Sequence, residues 1–248
     1  DLVAKLEAGS GLPLTLLAAP AGYGKPSRVA HWLEGREGLG AWLSLDADDS
    51  EPAAFVRCVA AAIRTVFPEA CADTLACLDL AQAPSLMALS ACLSNDLEAL
   101  VAPLVLVLDD YHRIDALPTH ALVDRLLARP VPYLHLVVIS RNHPPLALGA
   151  LRVREELNEI TMLELRFAKA KTATLLERGA GRVVSEQALD RLHEWTEGWP
   201  AGVRLAALAL RHNAGFDQPG HGFNGGIAQV EQYFLEEVFS QQPEKVRH

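Results

Sequence analysis

The sequence predicts an α/β fold: a mainly parallel, five-stranded sheet flanked by helices, followed by a small all-helical domain. Three observations carry that expectation. Leu104–Leu108 and Leu134–Ile139 are unbroken apolar runs, as expected for strands buried on both faces, and short runs recur at Leu14–Ala18, Ala41–Leu45 and Ile160–Leu163. Segments with apolar residues at helical spacing separate these runs, which favours helical crossovers between parallel strands. After Arg166-Phe167 no strand pattern returns, and helical segments follow at Lys169–Arg178, Glu186–Trp195 and Pro200–His212.

Taken in order, a short lead-in with Leu2, Leu6 and Leu12 precedes the first strand, Leu14–Ala18. That strand stops at Pro20-Ala21-Gly22-Tyr23-Gly24-Lys25, and helix-compatible sequence runs from Arg28 to about Glu34, where Gly35, Gly38 and Gly40 break it. Strand, small-residue loop, lysine and helix are the parts of a P-loop. Successive backbone N–H groups and a helix N-terminus surround a phosphate there, and the lysine adds a point charge. Two positions depart from G-x-x-x-x-G-K-[ST]: Ala19 replaces the first glycine, and Pro26 takes the place of the hydroxyl residue. A tight turn with an incidental Gly-Lys pair is the alternative reading.

The second strand, Ala41–Leu45, ends in an acidic turn, Asp46 to Ser50. Ser50 is expected to cap a helix with Glu51 and Pro52 in its first turn and Phe55, Val59, Ala62, Ile63 and Val66 on its apolar face. Asp73–Leu80 and Ser85–Leu100 read as two further helices. The third strand, Leu104–Leu108, runs into Asp109-Asp110. A P-loop site needs a carboxylate at the end of a neighbouring strand to hold Mg²⁺ or its water shell. Asp109 stands at that place and Asp110 can polarise a water; a solvated acidic turn is the alternative. After a helix at Pro118–Ala128, the fourth strand, Leu134–Ile139, ends at Ser140-Arg141. Ligands of open α/β sheets bind at the carboxyl ends of strands, so Arg141 is a candidate γ-phosphate sensor, or else part of a surface ion pair. Ile160–Leu163 is the fifth strand. In the helical part Ser185 is the expected N-cap of a helix whose stripe is Ala188, Leu189, Leu192 and Trp195. Five glycines and a proline mark 213–226 as a linker, expected to be mobile. A last amphipathic helix from Ile227 carries Val230, Phe234 and Val238.

Of the 248 residues 50% are hydrophobic, and the net charge of −9 argues against a nucleic-acid-binding surface. Cys58, Cys71, Cys77 and Cys92 show neither C-x-x-C pairing nor zinc spacing, so free thiols in a reducing compartment are expected. No run of 18 apolar residues occurs. The chain is expected to be soluble and cytoplasmic, and its two ends suggest a piece of a longer protein.

Four motifs occur in sequence: Ala19-Pro20-Ala21-Gly22-Tyr23-Gly24-Lys25, Trp42-Leu43-Ser44-Leu45-Asp46, Leu106-Val107-Leu108-Asp109-Asp110-Tyr111-His112 and Ser140-Arg141-Asn142-His143-Pro144-Pro145-Leu146. Together they resemble the nucleotide-binding domain of the large ATP-binding LuxR-type transcription regulators, the group that includes the maltose-operon activators, within the STAND class of P-loop ATPases. Glu164-Leu165-Arg166-Phe167 and Thr196-Glu197-Gly198-Trp199-Pro200-Ala201-Gly202 resemble the helical domain that follows, and Tyr233 through Pro243 the start of a winged helix. The resemblance implies domains at 1–165, 166–212 and 227–248 with a linker at 213–226, and a sheet in the order 5-1-4-3-2. It implies ATP or ADP with Mg²⁺ as ligands. Ala21, Gly22, Tyr23 and Gly24 would line the phosphate loop and Lys25 would hold the β/γ-phosphates. Asp109 would serve the Mg²⁺ shell, Asp110 the hydrolytic water, and Arg141 would act as sensor. Pro200 would lean on the base or ribose. Ser27 substitutes for the missing Mg²⁺ hydroxyl if the loop shifts by one residue. His112 and His143 are expected to be structural, and Trp32, Trp42, Trp195 and Trp199 to be core or domain-interface residues.

Three functions compete. The first is a regulatory switch in which ATP or ADP sets the orientation of the two domains, with hydrolysis slow or impaired by Pro26. The second is a degenerate P-loop interaction module, and the third a metabolic NTPase or kinase. On the first reading the sensor and DNA-binding domains lie outside this chain, which itself contacts neither DNA nor membrane, and the full-length protein self-associates in response to nucleotide.

Overall fold

Four apolar runs and one mixed run pair into a single parallel sheet in the computed structural model, which describes residues 2–36 and 38–212. The elements are α1 (Leu2–Gly9), β1 (Leu14–Ala18), α2 (Lys25–Glu34), β2 (Leu39–Ser44), α3 (Pro52–Arg64), α4 (Ala72–Leu78), α5 (Leu86–Glu98), β3 (Leu104–Asp109), α6 (Leu117–Ala128), β4 (Leu134–Ser140), α7 (Leu148–Val153) and β5 (Leu157–Thr161). Helices α8 (Met162–Leu165), α9 (Lys169–Ala180), α10 (Glu186–Thr196) and α11 (Pro200–His212) follow. Short 3₁₀ turns stand at Ala47–Ser50 and Tyr111–Arg113. The strand order is β2-β3-β4-β1-β5, every pairing is parallel, and this is the predicted order read from the other edge.

Register decides what meets at the carboxyl ends. Ala18 of β1 pairs with Ser140 of β4, and Leu108 of β3 pairs with Val138. The phosphate-loop strand therefore lies beside the strand leading to Arg141, and Asp109 ends the next strand over. Strand β3 is buried along its whole length. One face, with Leu104, Leu106, Leu108, Leu136 and Val138, packs into a core with Phe55, Ile63, Leu93, Leu97, Leu122 and Tyr111. Residues of the opposite face, Leu17, Val105, Val107, Val137 and Ile139, are buried as well. Each such side chain contributes about 1.5–3 kcal/mol, which is why the central strands read as continuous apolar runs.

The structure corrects three expectations. Strand β5 lies at Leu157–Thr161 rather than Ile160–Leu163, and Met162 already opens α8. It is an edge strand held by a polar residue: Asn158 Nδ2 donates to the carbonyl of Lys5 (3.1 Å) and to Thr15 Oγ1 (3.2 Å), so apolarity mislocates it. Ser50 does not cap α3, whose N-cap is Glu51 with Pro52 in the first turn. Its Oγ instead accepts from the Asp115 N–H at 3.0 Å, and its carbonyl accepts from Thr119 Oγ1. Trp195, expected on the apolar stripe of its helix, is 44% exposed and stands outside the core that Leu192 and Leu189 join.

Two compact units divide the described residues: a sheet unit formed by 2–19 and 25–161, and a helical unit formed by 20–24 and 162–212. The helical unit closes a core of Leu176, Leu192, Val203, Ala206, Ala207 and Leu210. Ser185 caps α10 by accepting from Ala188 N–H at 3.3 Å, as its sequence position predicts. All four cysteines are free, and burial pushes the Cys58 and Cys71 thiols up to about 11, which leaves them unreactive. Among the described residues no helix is long and apolar enough to cross a membrane. The expected linker and the last helix lie outside the described residues.

Candidate functional site

In the sheet unit four charged side chains gather at the carboxyl ends of β1, β3 and β4. Lys25 opens α2 and is only 5% exposed; its Nζ donates to the Ala19 carbonyl at 2.5 Å. Burial lowers its pKa to about 8. The Arg141 cation adds to that shift, while Asp109 and Asp110 oppose it. Asp109 ends β3 and is buried. Burial raises its carboxyl above the usual range, and the neighbouring Asp110 charge adds to the rise. The Asp110 N–H, donating to Asp109 Oδ1 at 2.9 Å, and the Lys25 cation pull the other way.

Asp110 itself stands in the left-handed region (φ 54°, ψ 33°), a conformation that short polar side chains tolerate better than most. The next residue, Tyr111, is fully buried with its hydroxyl 3.0 Å from His120 Nδ1, which pins the turn into the core. Arg141 follows the last residue of β4 and is half-buried. Its Nη1 is buried without a hydrogen-bond partner among the described residues. His112 Nδ1 stands 3.8 Å from Asp110 Oδ1, and burial holds this imidazole below its usual pKa. His143 lies on the surface, 4.0 Å from Glu159 Oε1. Pro26 and Ser27 are both exposed in the first turn of α2.

This donor set fits a polyphosphate with a hard divalent cation. The buried Arg141 Nη1, without a hydrogen-bond partner among the described residues, is costly alone and is compensated by an anion, which also offsets the charge of the buried Lys25 ammonium. A buried carboxylate with a raised pKa gains from a cation.

In the helical unit the loop Pro20–Gly24 is held by the start of α11. Gly22 and Gly24 both take positive φ, 79° and 69°. The Ala201 N–H donates to the Gly22 carbonyl at 3.0 Å, and Trp199 Nε1 donates to the Ala21 carbonyl at 3.1 Å. Ala201 is the second residue of α11, so its N–H is one that a helix N-terminus leaves without an internal partner. A Cβ on Gly22 would lie 2.7 Å from both Trp199 Cζ2 and Ala201 Cβ, so only glycine lets the loop approach. Gly198, at φ 72°, abuts the Phe167 carbonyl in the same way, 2.4 Å from where a Cβ would stand. Pro200 is buried at the first position of α11, where a missing N–H costs nothing. A cleft of about 400 Å³ adjoins these residues, lined by Pro20, Ala21, Tyr23, Trp195, Glu197 and Trp199 among others.

Of the site residues expected from the sequence, Lys25, Asp109, Asp110 and Arg141 come together in the sheet unit. Ala21, Gly22, Tyr23, Gly24 and Pro200 belong to the helical unit. Sequence reading missed Trp199 and Ala201 as the residues that hold the loop. The signal was present in Gly198-Trp199-Pro200-Ala201-Gly202, where glycines flanking a large ring mark close backbone approach.

A parallel sheet in this order, with lysine, carboxylate and arginine at its carboxyl edge, is the architecture of P-loop ATPases. The fold matches a Walker-type ATPase of Pyrococcus abyssi with a TM-score of 0.60 at 16% identity, over 96% of this chain and 73% of that one. It also matches Cdc6p from Pyrobaculum aerophilum with a TM-score of 0.52 at 15% identity, over 93% and 62% of the two chains. No protein-family model matches the chain. In sequence its homologues are HTH-type transcriptional regulators named MalT. That of Cronobacter sakazakii is 34% identical over 241 residues, 96% of this chain and 27% of the regulator. That of Klebsiella pneumoniae is 32% identical over 249 residues, 100% of this chain and 28% of the regulator. The chain thus spans about a quarter of the length of these relatives.

Proposed function

We propose that this chain is the nucleotide-binding switch module of an HTH-type transcriptional regulator, taking ATP or ADP with Mg²⁺. The observation that carries the reading is the meeting of Lys25, Asp109, Asp110 and Arg141 at three adjacent strand ends, in a sheet of P-loop order. Bound nucleotide supplies a polyphosphate whose terminal phosphoryl group can pass to water. The loop amides of 21–24 and the Lys25 ammonium hold the phosphates, and Asp109 with Ser27 holds the cation shell. Asp110 orients the water, and Arg141 brings an unsatisfied N–H to the terminal phosphate. Pro200 contacts the base or ribose, a role supported by sequence resemblance alone.

The domain division at 1–165, 166–212, 213–226 and 227–248 belongs to the same proposal. So do sensor and operator-binding regions elsewhere in the full-length protein, and its nucleotide-dependent self-association. A switch does not need fast turnover. Coupling between sites is typically ~1–3 kcal/mol, which binding alone can supply.

Pro26 favours a second reading, a P-loop module with little turnover. It offers neither a hydroxyl for Mg²⁺ nor an N–H for phosphate. A lost hydrogen bond to a charged group is worth ~1.5–3 kcal/mol, or roughly tenfold to a hundredfold in affinity. Titration calorimetry with Mg-ATP and Mg-ADP tests both readings. The parent chain should bind weakly, Pro26→Thr should bind roughly tenfold to a hundredfold more tightly, and Lys25→Ala in that background should abolish binding. Equal affinity for parent and Pro26→Thr would show that Ser27 or the loop already supplies the contact. No binding by any of the three would end the nucleotide reading.

A further inference from the structure

We infer that Trp199 is a positioning residue that sets which way the phosphate-loop amides face, an inference that rests on the nucleotide reading above. Two consecutive loop carbonyls, those of Ala21 and Gly22, are taken up by Trp199 Nε1 at 3.1 Å and by the Ala201 N–H at 3.0 Å. The described chain has no cis peptide bond, so each carbonyl points opposite to the N–H of its own peptide unit. The N–H groups of Gly22 and Tyr23 are therefore turned away from these two donors. Inverting either peptide would lose a hydrogen bond and bring one N–H against another.

Without such a hold the loop has an easy alternative. Glycines at 22 and 24 make peptide flips cheap, and a flipped peptide presents a carbonyl oxygen to a phosphate. The indole works by shape as well as by its N–H. Its ring occupies the space beside the Gly22 Cα, and Gly202, whose added Cβ would lie 2.5 Å from Trp199 Cε3, leaves room for it. Trp199 is 7% exposed, so its bond to Ala21 faces little competition from water. Trp199 thus orients the loop amides without itself touching phosphate.

The test separates this role from simple packing. Trp199→Phe keeps an aromatic ring and deletes the donor, and Leu208→Ala, at an exposed side chain of α11, is the control for a substitution in the same unit. Amide resonances of the ligand-free protein are recorded first. Trp199→Phe should shift the Gly22 and Tyr23 amides, and Leu208→Ala should leave both in place. Calorimetry with Mg-ADP and with inorganic pyrophosphate, in the parent and in Pro26→Thr, should then show a loss of about three- to tenfold for Trp199→Phe only. Unmoved Gly22 and Tyr23 amides would overturn the inference whatever the affinities. Unchanged pyrophosphate affinity in a Pro26→Thr protein that binds it would overturn it too. A Pro26→Thr protein that ignores both probes refutes the nucleotide reading, and the amide resonances still decide the role of Trp199 in orienting the loop. Where Trp199→Phe does not fold, the indole N–H of Trp199 in the parent chain is read instead: slowed hydrogen exchange supports its hold on Ala21, and exchange at the rate of a solvent-exposed indole overturns it.

Discussion

The turns that follow β1 and β3 both carry candidate phosphate or metal ligands, yet they are held by opposite means. The turn after β3 is held largely by its neighbours in sequence, with long-range hydrogen bonds only at its two ends, from Leu45 N–H to the Asp109 carbonyl and from Asp115 N–H to Ser50 Oγ, both 3.0 Å. Asp110 donates its N–H to Asp109, Tyr111 anchors the chain in the core, and the left-handed kink is absorbed by an aspartate. The loop after β1 is held by residues far along the chain: Trp199 reaches Ala21 across 178 positions. A turn of the first kind keeps its geometry as long as the sheet is folded. A loop of the second kind depends for its geometry on the start of α11.

The sharpest way to break this contrast is at the two loop glycines. Gly22→Ala places a Cβ 2.7 Å from Trp199 and Ala201 at φ 79°, whereas at Gly24 nothing lies within 4 Å of an added Cβ and only φ 69° is against it. Strain and overpacking together should cost Gly22→Ala about 2–5 kcal/mol, against about 1–2 kcal/mol for Gly24→Ala. Urea unfolding of the two variants gives the numbers, and equal costs would mean that α11 does not hold the loop.

Next comes Asp109→Asn, which probes the locally held turn. Burial raises the Asp109 carboxyl in the folded chain, so the native state binds more protons than the unfolded one from about pH 4 up to the raised value. The stability this carboxyl contributes is complete below its unfolded pKa and is lost as pH rises through the folded one. The Asn variant should lack that decline and should also lose the Mg²⁺-dependent part of ADP affinity. A parent whose stability is flat across the acid range would contradict the assignment.

A smaller effect is expected at Asp110→Gly. Relief of the left-handed strain at φ 54° is offset by the entropy glycine gains on unfolding, so stability should change by at most about 1 kcal/mol. A larger loss would show that the Asp110 side chain, through His112 3.8 Å away, holds the turn.

The smallest signal is a fraction of a proton. With the Lys25 pKa at about 8, the unfolded chain holds the lysine proton more tightly than the native state. Stability should therefore rise with pH between about 8 and about 10.5. An anion beside Lys25 raises its pKa again, so ADP titrated near pH 8.5 into Pro26→Thr should draw less than one proton from the buffer. Calorimetry in two buffers of different ionisation enthalpy detects it, and the Lys25→Ala variant should show none.

These regions also differ in how far a sequence reveals them. Strands β1, β3 and β4 are legible because burial on both faces forces continuous apolar runs. Lys25, Asp109 and Arg141 are legible because each sits where such a run stops. Strand β5 was misplaced because its inward anchor is Asn158, a residue that the apolar criterion discards. Ser50 was misassigned because its local options suggest a cap, while its actual partners, Asp115 and Thr119, lie more than sixty positions away. The hold on the phosphate loop is only half legible for the same reason: Gly198 and Gly202 mark close approach around an indole, but nothing near Ala21 in the sequence names it as the partner.

That indole has a further consequence, for how the sequence is free to drift. Trp199 fixes glycine at 22 and at 202 by occupying the volume any side chain there would need, and Ala201 is pressed against Gly22 from the other side. Neither glycine can gain a side chain while Trp199 stays in place without a clash at 2.5–2.7 Å. In relatives of this chain a smaller residue at 199 should therefore travel with a larger one at 202, whereas the φ of 79° keeps glycine at 22 in either case.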